Sequence, residues 1–278
     1  MKKMIKATAV LDVGGTFVKH SLFLDGQFQP DSSQTTAIDE AADANAIVNV
    51  LAACARHADC VSACMPGPMD YANGKSLMKH KFQALYGIEL KTVLEEKTGI
   101  PWNFVHDVVA FLAGTISLGE SGDALSPAAV TLGTGLGYAY AKGTVIQKNE
   151  MGSPTHPLWN QPYREGIVED FASARGLVKQ YEKQTGQYLT ALEISQHARA
   201  GEADALTAFA KMGYILGAAL EKRVLEEGID LIILGGQVSR SADLFLPHMQ
   251  SKLSIPVHIT GYLNEAALYG AFALLSRK

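Results

Sequence analysis

Two glycine loops, Leu11-Asp12-Val13-Gly14-Gly15-Thr16 and Thr131-Leu132-Gly133-Thr134-Gly135-Leu136-Gly137, constrain this chain more than any other feature. A phosphate loop of the common P-loop kind runs from a strand into a helix, whose N-terminus helps to hold the anion. Neither loop does so here. After Thr16 the chain continues Phe17-Val18-Lys19-His20-Ser21-Leu22-Phe23-Leu24 and reaches Asp25-Gly26, a strand ending in a type I′ turn signal. After Gly137 it continues Tyr138-Ala139-Tyr140-Ala141 and reaches Lys142-Gly143. Each loop is therefore read as the bend of a β-hairpin, and the hairpin occurs twice.

A chain of 278 residues suits two domains of ordinary size. With 24 basic and 28 acidic residues, net −4, it does not advertise the basic patch of a nucleic-acid binder. A hydrophobic fraction of 47%, with 26 glycines and 10 prolines, fits an α/β protein. No run of about 20 apolar residues is present to span a bilayer. Met1-Lys2-Lys3-Met4 leads into a strand without a signal-peptide core, so no membrane partner and a cytoplasmic location are expected. Cys54, Cys60 and Cys64 are odd in number and set among Ala and Val, which reads as buried free thiols.

Periodicity predicts a hairpin and third strand over Lys6–Gln29, a helix over Glu40–His57 and a buried strand over Cys60–Met65, stopped by Pro66-Gly67-Pro68. A helix over Leu90–Lys97 ends at Gly99, and the strand Trp102–Val105 delivers His106 and Asp107 to the helix Val108–Leu118. The second hairpin covers Ala128–Ile146. Helices are expected over most of Glu165–Thr185 and Ala191–Gly228, the latter broken near Gly201. The strand Ile229–Leu234 ends at Gly235-Gly236 and precedes a helix with Leu244, Leu246 and Met249; the strand Val257–Thr260 and the helix Asn264–Ser276 close the chain. Hairpin, strand, helix, strand, helix and strand recur in both halves, so the repeat is of a domain. Two such copies facing one another put both glycine loops at a shared cleft, the default ligand site.

Glycines allow close backbone approach and positive φ, so Gly14, Gly15 and Gly133, Gly135 can aim N–H groups at phosphate oxygens, with Thr16 and Thr134 adding hydroxyls. Asp12 at a strand end can orient hydrated Mg²⁺. Gly-Gly in a hairpin bend also serves turn geometry alone. Gly235-Gly236 reads either as a turn that leaves room for a purine or as a plain strand-to-helix turn. Asp107 reads as a helix N-cap or as a base that takes a proton from a substrate hydroxyl attacking a γ-phosphoryl group.

Together these motifs resemble the ROK sugar kinases of the actin-like ATPase superfamily. Asp12-Val13-Gly14-Gly15-Thr16 is similar to the family's first phosphate motif, and Met65-Pro66-Gly67-Pro68-Met69-Asp70 with Gly74 to its proline-glycine turn. His106-Asp107-Val108-Val109-Ala110 falls where relatives have Asn-Asp-Ala-Asn-Ala; Gly133-Thr134-Gly135-Leu136-Gly137 resembles the second phosphate loop and Ile233-Leu234-Gly235-Gly236 the nucleotide turn. Asn264-Glu265-Ala266-Ala267-Leu268-Tyr269-Gly270-Ala271 resembles the closing helix, so the likeness spans nearly the whole chain.

The resemblance implies an α/β, two-domain actin-like ATPase (ribonuclease H-like) fold with a duplicated β-hairpin/βαβ core and an interdomain cleft. It implies domains at 1–118 plus 262–278 and at 119–261. It implies ATP and Mg²⁺ as cofactors, a sugar as substrate and Asp107 as catalytic base. Glu150, in Asn149-Glu150-Met151-Gly152-Ser153, falls on the family's Glu-Ile-Gly-His motif, and Glu169 on a further sugar-binding glutamate. Gly67, His106 and Ser153 complete the implied sugar-binding set.

The chain departs from the family in three places. Ser153 stands at the position of the zinc-binding His and no cysteine follows Cys64, so no structural zinc is expected. Phe17 follows Thr16 where many relatives have Lys, with Lys19 two positions on, an arrangement similar to that of a zinc-free subgroup that includes β-glucoside kinases. His106 replaces the usual Asn, and His156 reads as a substitute sugar contact or as a bland loop residue.

The leading expectation is ATP-dependent phosphorylation of a hydroxyl of a hexose or hexose derivative, of the glucokinase, N-acetylhexosamine kinase or β-glucoside kinase kind. The alternatives are a sugar-sensing regulator without catalysis and a kinase of a non-sugar metabolite. Regulators of the family carry an N-terminal helix-turn-helix domain, whereas here the first phosphate strand starts near residue 6. A homodimer through the small-residue helix Ala208–Leu225, with Gly213 and Gly217 at its contact, is weighed against an intramolecular role for those glycines.

Overall fold

The structure is a computed structural model that describes residues 6–55 and 57–275. The Met1–Met4 lead, Arg56 within the first expected helix, and the Ser276 end of the last helix lie outside the described residues.

In chain order, β1 (Ala7–Val13), β2 (Phe17–Leu24) and β3 (Gln27–Ala37) form a meander. Asp25 and Gly26, at φ 48° and 84°, supply its expected second turn. β3 runs well past Gln29, because it is the outer strand: Pro30 lacks an N–H, which an edge tolerates, and the polar stretch to Thr36 faces outward. Helix α1 (Ala44–Cys54) starts later than expected because Asp43 caps it, accepting the Ala46 N–H at 2.9 Å. The fully buried β4 (Cys60–Met65) follows, then the two-residue strands β5 (Met69–Asp70) and β6 (Lys75–Ser76). Helix α2 (Leu90–Thr98) stops at left-handed Gly99, and β7 (Trp102–His106) runs straight into α3 (Asp107–Ser117).

The second hairpin is β8 (Pro127–Leu132) and β9 (Leu136–Lys142), extended by β10 (Val145–Ile146). Strand β11 (Pro162–Tyr163) pairs with β12 (Gly166–Ile167), which lies where helix was expected from Glu165. There the Val168 N–H turns back to the Gln161 carbonyl at 2.9 Å, and α4 (Ala174–Thr185) begins only where Ser173 caps it. Helices α5 (Ala191–Arg199) and α6 (Ala203–Glu227) break beside Gly201, as expected. Strand β13 (Leu231–Gly235), α7 (Ala242–Gln250), β14 (Val257–Ile259) and α8 (Ala266–Leu275) complete the chain.

The two large sheets have one topology. The first runs β3-β2-β1-β4-β7 and the second β10-β9-β8-β13-β14. In each, the hairpin is antiparallel, its first strand pairs in parallel with β4 or β13, and that strand pairs in parallel with β7 or β14. The duplicated hairpin and parallel core are thus the fold itself. One compact unit holds the described residues to Gly119 with Lys148–Thr155 and those from Asn264; the other holds Glu120–Gln147 and His156–Leu263.

Within the first unit, alternate residues of β1 face opposite ways: Ala9, Leu11 and Val13 join Ile47 and Leu51 of α1, while Val10 joins Leu268 and Ala271 of α8. The second unit buries Tyr138, Tyr181, Phe209 and Phe245 in its own core. Gly213 and Gly217 of α6, weighed above as a dimer contact, lie against α7: a Cβ on either would collide with the carbonyl of Phe245 or Met249. Their small size serves helix packing inside the unit. Cys54, Cys60 and Cys64 are buried free thiols. No helix among the described residues is long and apolar enough to cross a membrane.

Candidate active site

In the first unit the functional candidates stand at the carboxyl ends of adjacent parallel strands, where open α/β sheets bind ligands. Register aligns Asp12 of β1 with Cys64 of β4, and Met65 of β4 with His106 of β7. Asp12 faces Lys19 across the hairpin, and Lys19 Nζ donates to Asn264 Oδ1 at 3.3 Å. Burial, with the Asp107 charge beside it, pushes the Asp12 carboxyl up to about 6 against the pull of Lys19. Asp107 shifts the other way. Burial alone raises its carboxyl, but His106, the Val108 N–H and Lys81 outweigh burial and hold it below the ordinary 3.8. His106 Nδ1 lies 2.7 Å from Asp107 Oδ1, off the hydrogen-bond axis and with no other partner among the described residues. The Val108 N–H donates to the same oxygen at 2.7 Å. The Asp107 side chain is 44% exposed, so an ionised carboxylate on the first turn of α3 is open to an incoming hydroxyl.

Sequence reasoning missed the residue that organises this region. Tyr71, only 4% exposed, donates its hydroxyl to the Met65 carbonyl at 3.0 Å and sets its ring 5.5 Å from that of His106. Gly67 leaves room beneath them: a Cβ there would lie 3.2 Å from Tyr71 Oη and 3.3 Å from His106 Nε2, a tight fit. The Tyr71 N–H also bonds the Met151 carbonyl at 2.9 Å, and Gly152, at φ 85°, rests on the Tyr71 Cβ. Tyr71 thereby holds the turn that carries Glu150. Asn149 closes that turn, its Oδ1 accepting the N–H groups of Met151 at 3.1 Å and Ser153 at 3.0 Å. Glu150 is exposed at its tip and makes no ion pair among the described residues. Asn149 followed by Gly152 is a turn signal that could have revealed this arrangement.

The first glycine loop is closed by Gly14 N–H to the Phe17 carbonyl at 2.9 Å, while Ile38 and Glu40 donate to the carbonyls of Thr16 and Gly15 at 3.0 and 3.1 Å. Neither Gly14 nor Gly15 has positive φ. A Cβ on Gly15 would instead strike the Glu40 carboxylate. The second unit repeats the device. Gly133 N–H bonds the Gly135 carbonyl at 3.0 Å, and a Cβ on Gly135 would lie 2.5 Å from Glu169 Oε2. That oxygen accepts the Leu136 N–H at 2.8 Å. Arg175 binds Glu169 Oε1 through Nη2 at 2.6 Å and the Thr134 carbonyl through Nε at 3.1 Å. Gly235 is registered beside Thr131, and Gly236, at φ 83°, approaches the Leu132 backbone too closely to admit a side chain. The expected nucleotide turn and second glycine loop are therefore neighbours.

His156, at φ 52°, is held through one ring nitrogen: its Nδ1 lies 3.0 Å from Glu227 Oε1, which Arg223 also reaches at 3.3 Å, while Tyr138 donates to Oε2 at 2.5 Å. Among the described residues, no three His, Cys, Asp or Glu side chains gather as a metal site.

The ROK family model matches residues 8–278, and the chain belongs to the ROK family. No curated protein matches the sequence. Among solved structures, a ROK family glucokinase from Streptomyces griseus, in complex with glucose and AMPPNP, has 20% identity and a TM-score of 0.82, covering 98% of this chain and 100% of its own. The ROK hexokinase from Thermus thermophilus has 20% identity and a TM-score of 0.79, covering 98% and 99%. A ROK family transcriptional regulator, a homologue of the E. coli MLC protein, has 16% identity and a TM-score of 0.76, covering 97% and 80%. At such identities these likenesses establish the fold: the actin-like architecture of ROK proteins.

Proposed function

We propose that the protein is an ATP- and Mg²⁺-dependent kinase that phosphorylates a hydroxyl of a hexose or hexose derivative. The observation that carries this reading is Asp107, a solvent-reachable carboxylate on the first turn of a helix, kept ionised by His106 and the Val108 N–H. Such a group can take the proton of a sugar hydroxyl as it attacks phosphorus. The glucose and AMPPNP bound by the S. griseus enzyme support the choice of substrates.

In this reading the amides of Gly15 and Gly135 and the hydroxyls of Thr16 and Thr134 hold phosphate oxygens, Gly14 and Gly133 spend their N–H groups closing the two bends, and Gly235-Gly236 leaves space for the base. Gly67, His106, Glu150, Ser153 and Glu169 hold the sugar, carboxylates being suited because each accepts two hydroxyl donors. Asp12, near the carboxyl end of β1 in the sheet whose β7 leads into Asp107, is the carboxylate that would orient hydrated Mg²⁺. When bound with ATP, Mg²⁺ supplies charge neutralisation at the transferring phosphoryl group. The domains are proposed as 1–118 with 262–278, and 119–261. A cytoplasmic site of action belongs to the same reading because ATP is the donor.

The test is an ATP-consumption assay over glucose, mannose, fructose, N-acetylhexosamines and β-glucosides, with the phosphorylated position read by NMR. Turnover of one of them supports the reading. Absence of turnover with all of them overturns it in favour of a non-sugar acceptor or of a regulator, the latter in keeping with the MLC-like fold relative. Binding of the chain to DNA at physiological salt would mark the regulator.

A further inference from the structure

We infer that Arg175 is a positioning residue that locks the Glu169 carboxylate to the second glycine loop and so makes sugar and nucleotide binding cooperative. The inference rests on the proposed kinase reading, in which Glu169 holds sugar and the loop holds phosphate.

Three hydrogen bonds stitch the segment Glu169–Arg175 to the loop Gly133–Leu136. Ala174 N–H reaches the Gly133 carbonyl at 2.9 Å, Arg175 Nε the Thr134 carbonyl at 3.1 Å, and Leu136 N–H the Glu169 Oε2 at 2.8 Å. Ser173 fastens the segment from within, donating to the Glu169 carbonyl at 2.7 Å while capping α4 through Gly176 N–H at 3.1 Å. Arg175 and Glu169 therefore move as one piece with the loop.

The charges explain why an arginine is wanted. A carboxylate seated on an amide of a phosphate loop repels an incoming phosphate. The guanidinium, 2.6 Å from Glu169 Oε1, offsets that charge and turns one edge of its planar fork to both partners at once, Nη2 to the carboxylate and Nε to the loop carbonyl. Any shift of the Thr134 carbonyl on phosphate binding is transmitted to the carboxylate, and any hydroxyl that draws on the carboxylate is felt by the loop. A lysine ammonium keeps the charge but has no second donor in that fixed direction. Because Arg175 is 63% exposed, its replacement leaves the core untouched.

The experiment measures the dissociation constant of Mg·AMPPNP by calorimetry with and without a saturating amount of the hexose turned over in the substrate screen. It uses the whole chain as wild type, Arg175→Gln, Arg175→Lys and Glu169→Gln. The expected wild-type coupling is on the order of 5- to 150-fold, the usual range between linked sites. Arg175→Gln and Glu169→Gln are expected to bring it to within about 2-fold of unity, and Arg175→Lys to an intermediate value, with melting temperature little changed; without sugar, nucleotide affinity should fall in Arg175→Gln, which leaves the Glu169 charge uncompensated, and not fall in Glu169→Gln, which removes that charge. A purely structural role would weaken both ligands alike and leave the coupling factor in place. Wild-type coupling in both arginine variants, or no coupling in wild type, overturns the inference alone. A wild-type chain that binds neither ligand overturns the kinase reading beneath it. Should Arg175→Gln fail to fold, Arg175→Lys with Glu169→Gln decides the same question.

Discussion

Tyr71 donates its backbone N–H to the Met151 carbonyl at 2.9 Å while its ring lies beside His106, so one buried residue joins the strand end that leads into Asp107 to the turn that bears Glu150. Tyr71→Phe removes only the hydroxyl bond to the Met65 carbonyl and is expected to cost about 1–3 kcal/mol, since a buried acceptor is left unpaired. Tyr71→Ala opens a cavity and is expected to cost about 3–5 kcal/mol by analogy with other aromatic truncations. It also removes the ring beside His106, while the backbone N–H that holds the Glu150 turn remains, so sugar KM should rise by a larger factor than kcat falls. Urea unfolding and steady-state kinetics read the two effects; equal stability of both variants would refute the bridging role.

Asp107→Asn keeps the shape of the first turn of α3 but removes the proton acceptor. In the proposed reaction kcat should fall roughly 10²- to 10⁴-fold with sugar KM within a few-fold of wild type. The far-ultraviolet circular dichroism should not change. Near-normal turnover would show that another group takes the proton.

The raised Asp12 carboxyl has two consequences for pH. Its pKa stands at about 6 in the folded chain against an ordinary 3.8, so between these values the folded state holds a proton that the unfolded chain has released. The stability due to this group is therefore full below 3.8 and lost as pH rises through about 6. Asp12→Asn should flatten the stability profile across that window and be the more stable protein above it. Binding of Mg·AMPPNP favours the ionised form, so in wild type it should release protons near pH 6, seen by calorimetry in buffers of different ionisation enthalpy. The Asn variant should show no such release.

Local signals made much of this molecule legible. Asp25-Gly26 and the glycine loops announce both hairpins because turn residues must satisfy local backbone geometry, and the apolar run ending at Asp107 announces β7 and α3 for the same reason. What could not be read depends on partners distant in sequence. The polar end of β3 is a strand because β2 pairs with it as far as Ala37, and Val168 leaves the helical path because Gln161 takes its N–H. Tyr71, Glu40 and Arg175 carry no periodic signal. The reason for Gly15 and Gly135 also differs from the sequence expectation. Positive φ is absent at both, and a carboxylate, from Glu40 or Glu169, fills the space that a side chain would take. Asp107 does start a helix, as its N-cap reading allows, yet it is the first helical residue and its carboxylate stays open.

These close approaches predict that glycine replacements will divide into two kinds. On α3, a Cβ at Gly114 would run into the Ala266 carbonyl of α8, and on α8 a Cβ at Gly270 would run into the Ala110 carbonyl of α3. Backbone cannot yield there without parting the helices, so Gly114→Ala and Gly270→Ala should each cost at least about 1–3 kcal/mol, as overpacking does. Since α3 begins at Asp107, the displacement should lower kcat as well. At Gly135 the obstacle is the far end of the Glu169 side chain, 2.5 Å from the added Cβ, and that carboxylate can swing aside. Gly135→Ala should therefore leave the unfolding midpoint nearly unchanged and raise sugar KM by loosening Glu169 from Leu136. Denaturant unfolding and sugar kinetics on the three variants separate the two kinds. A Gly135→Ala protein destabilised as much as Gly114→Ala, with sugar KM unmoved, would show that the glycine serves the hairpin bend rather than the carboxylate.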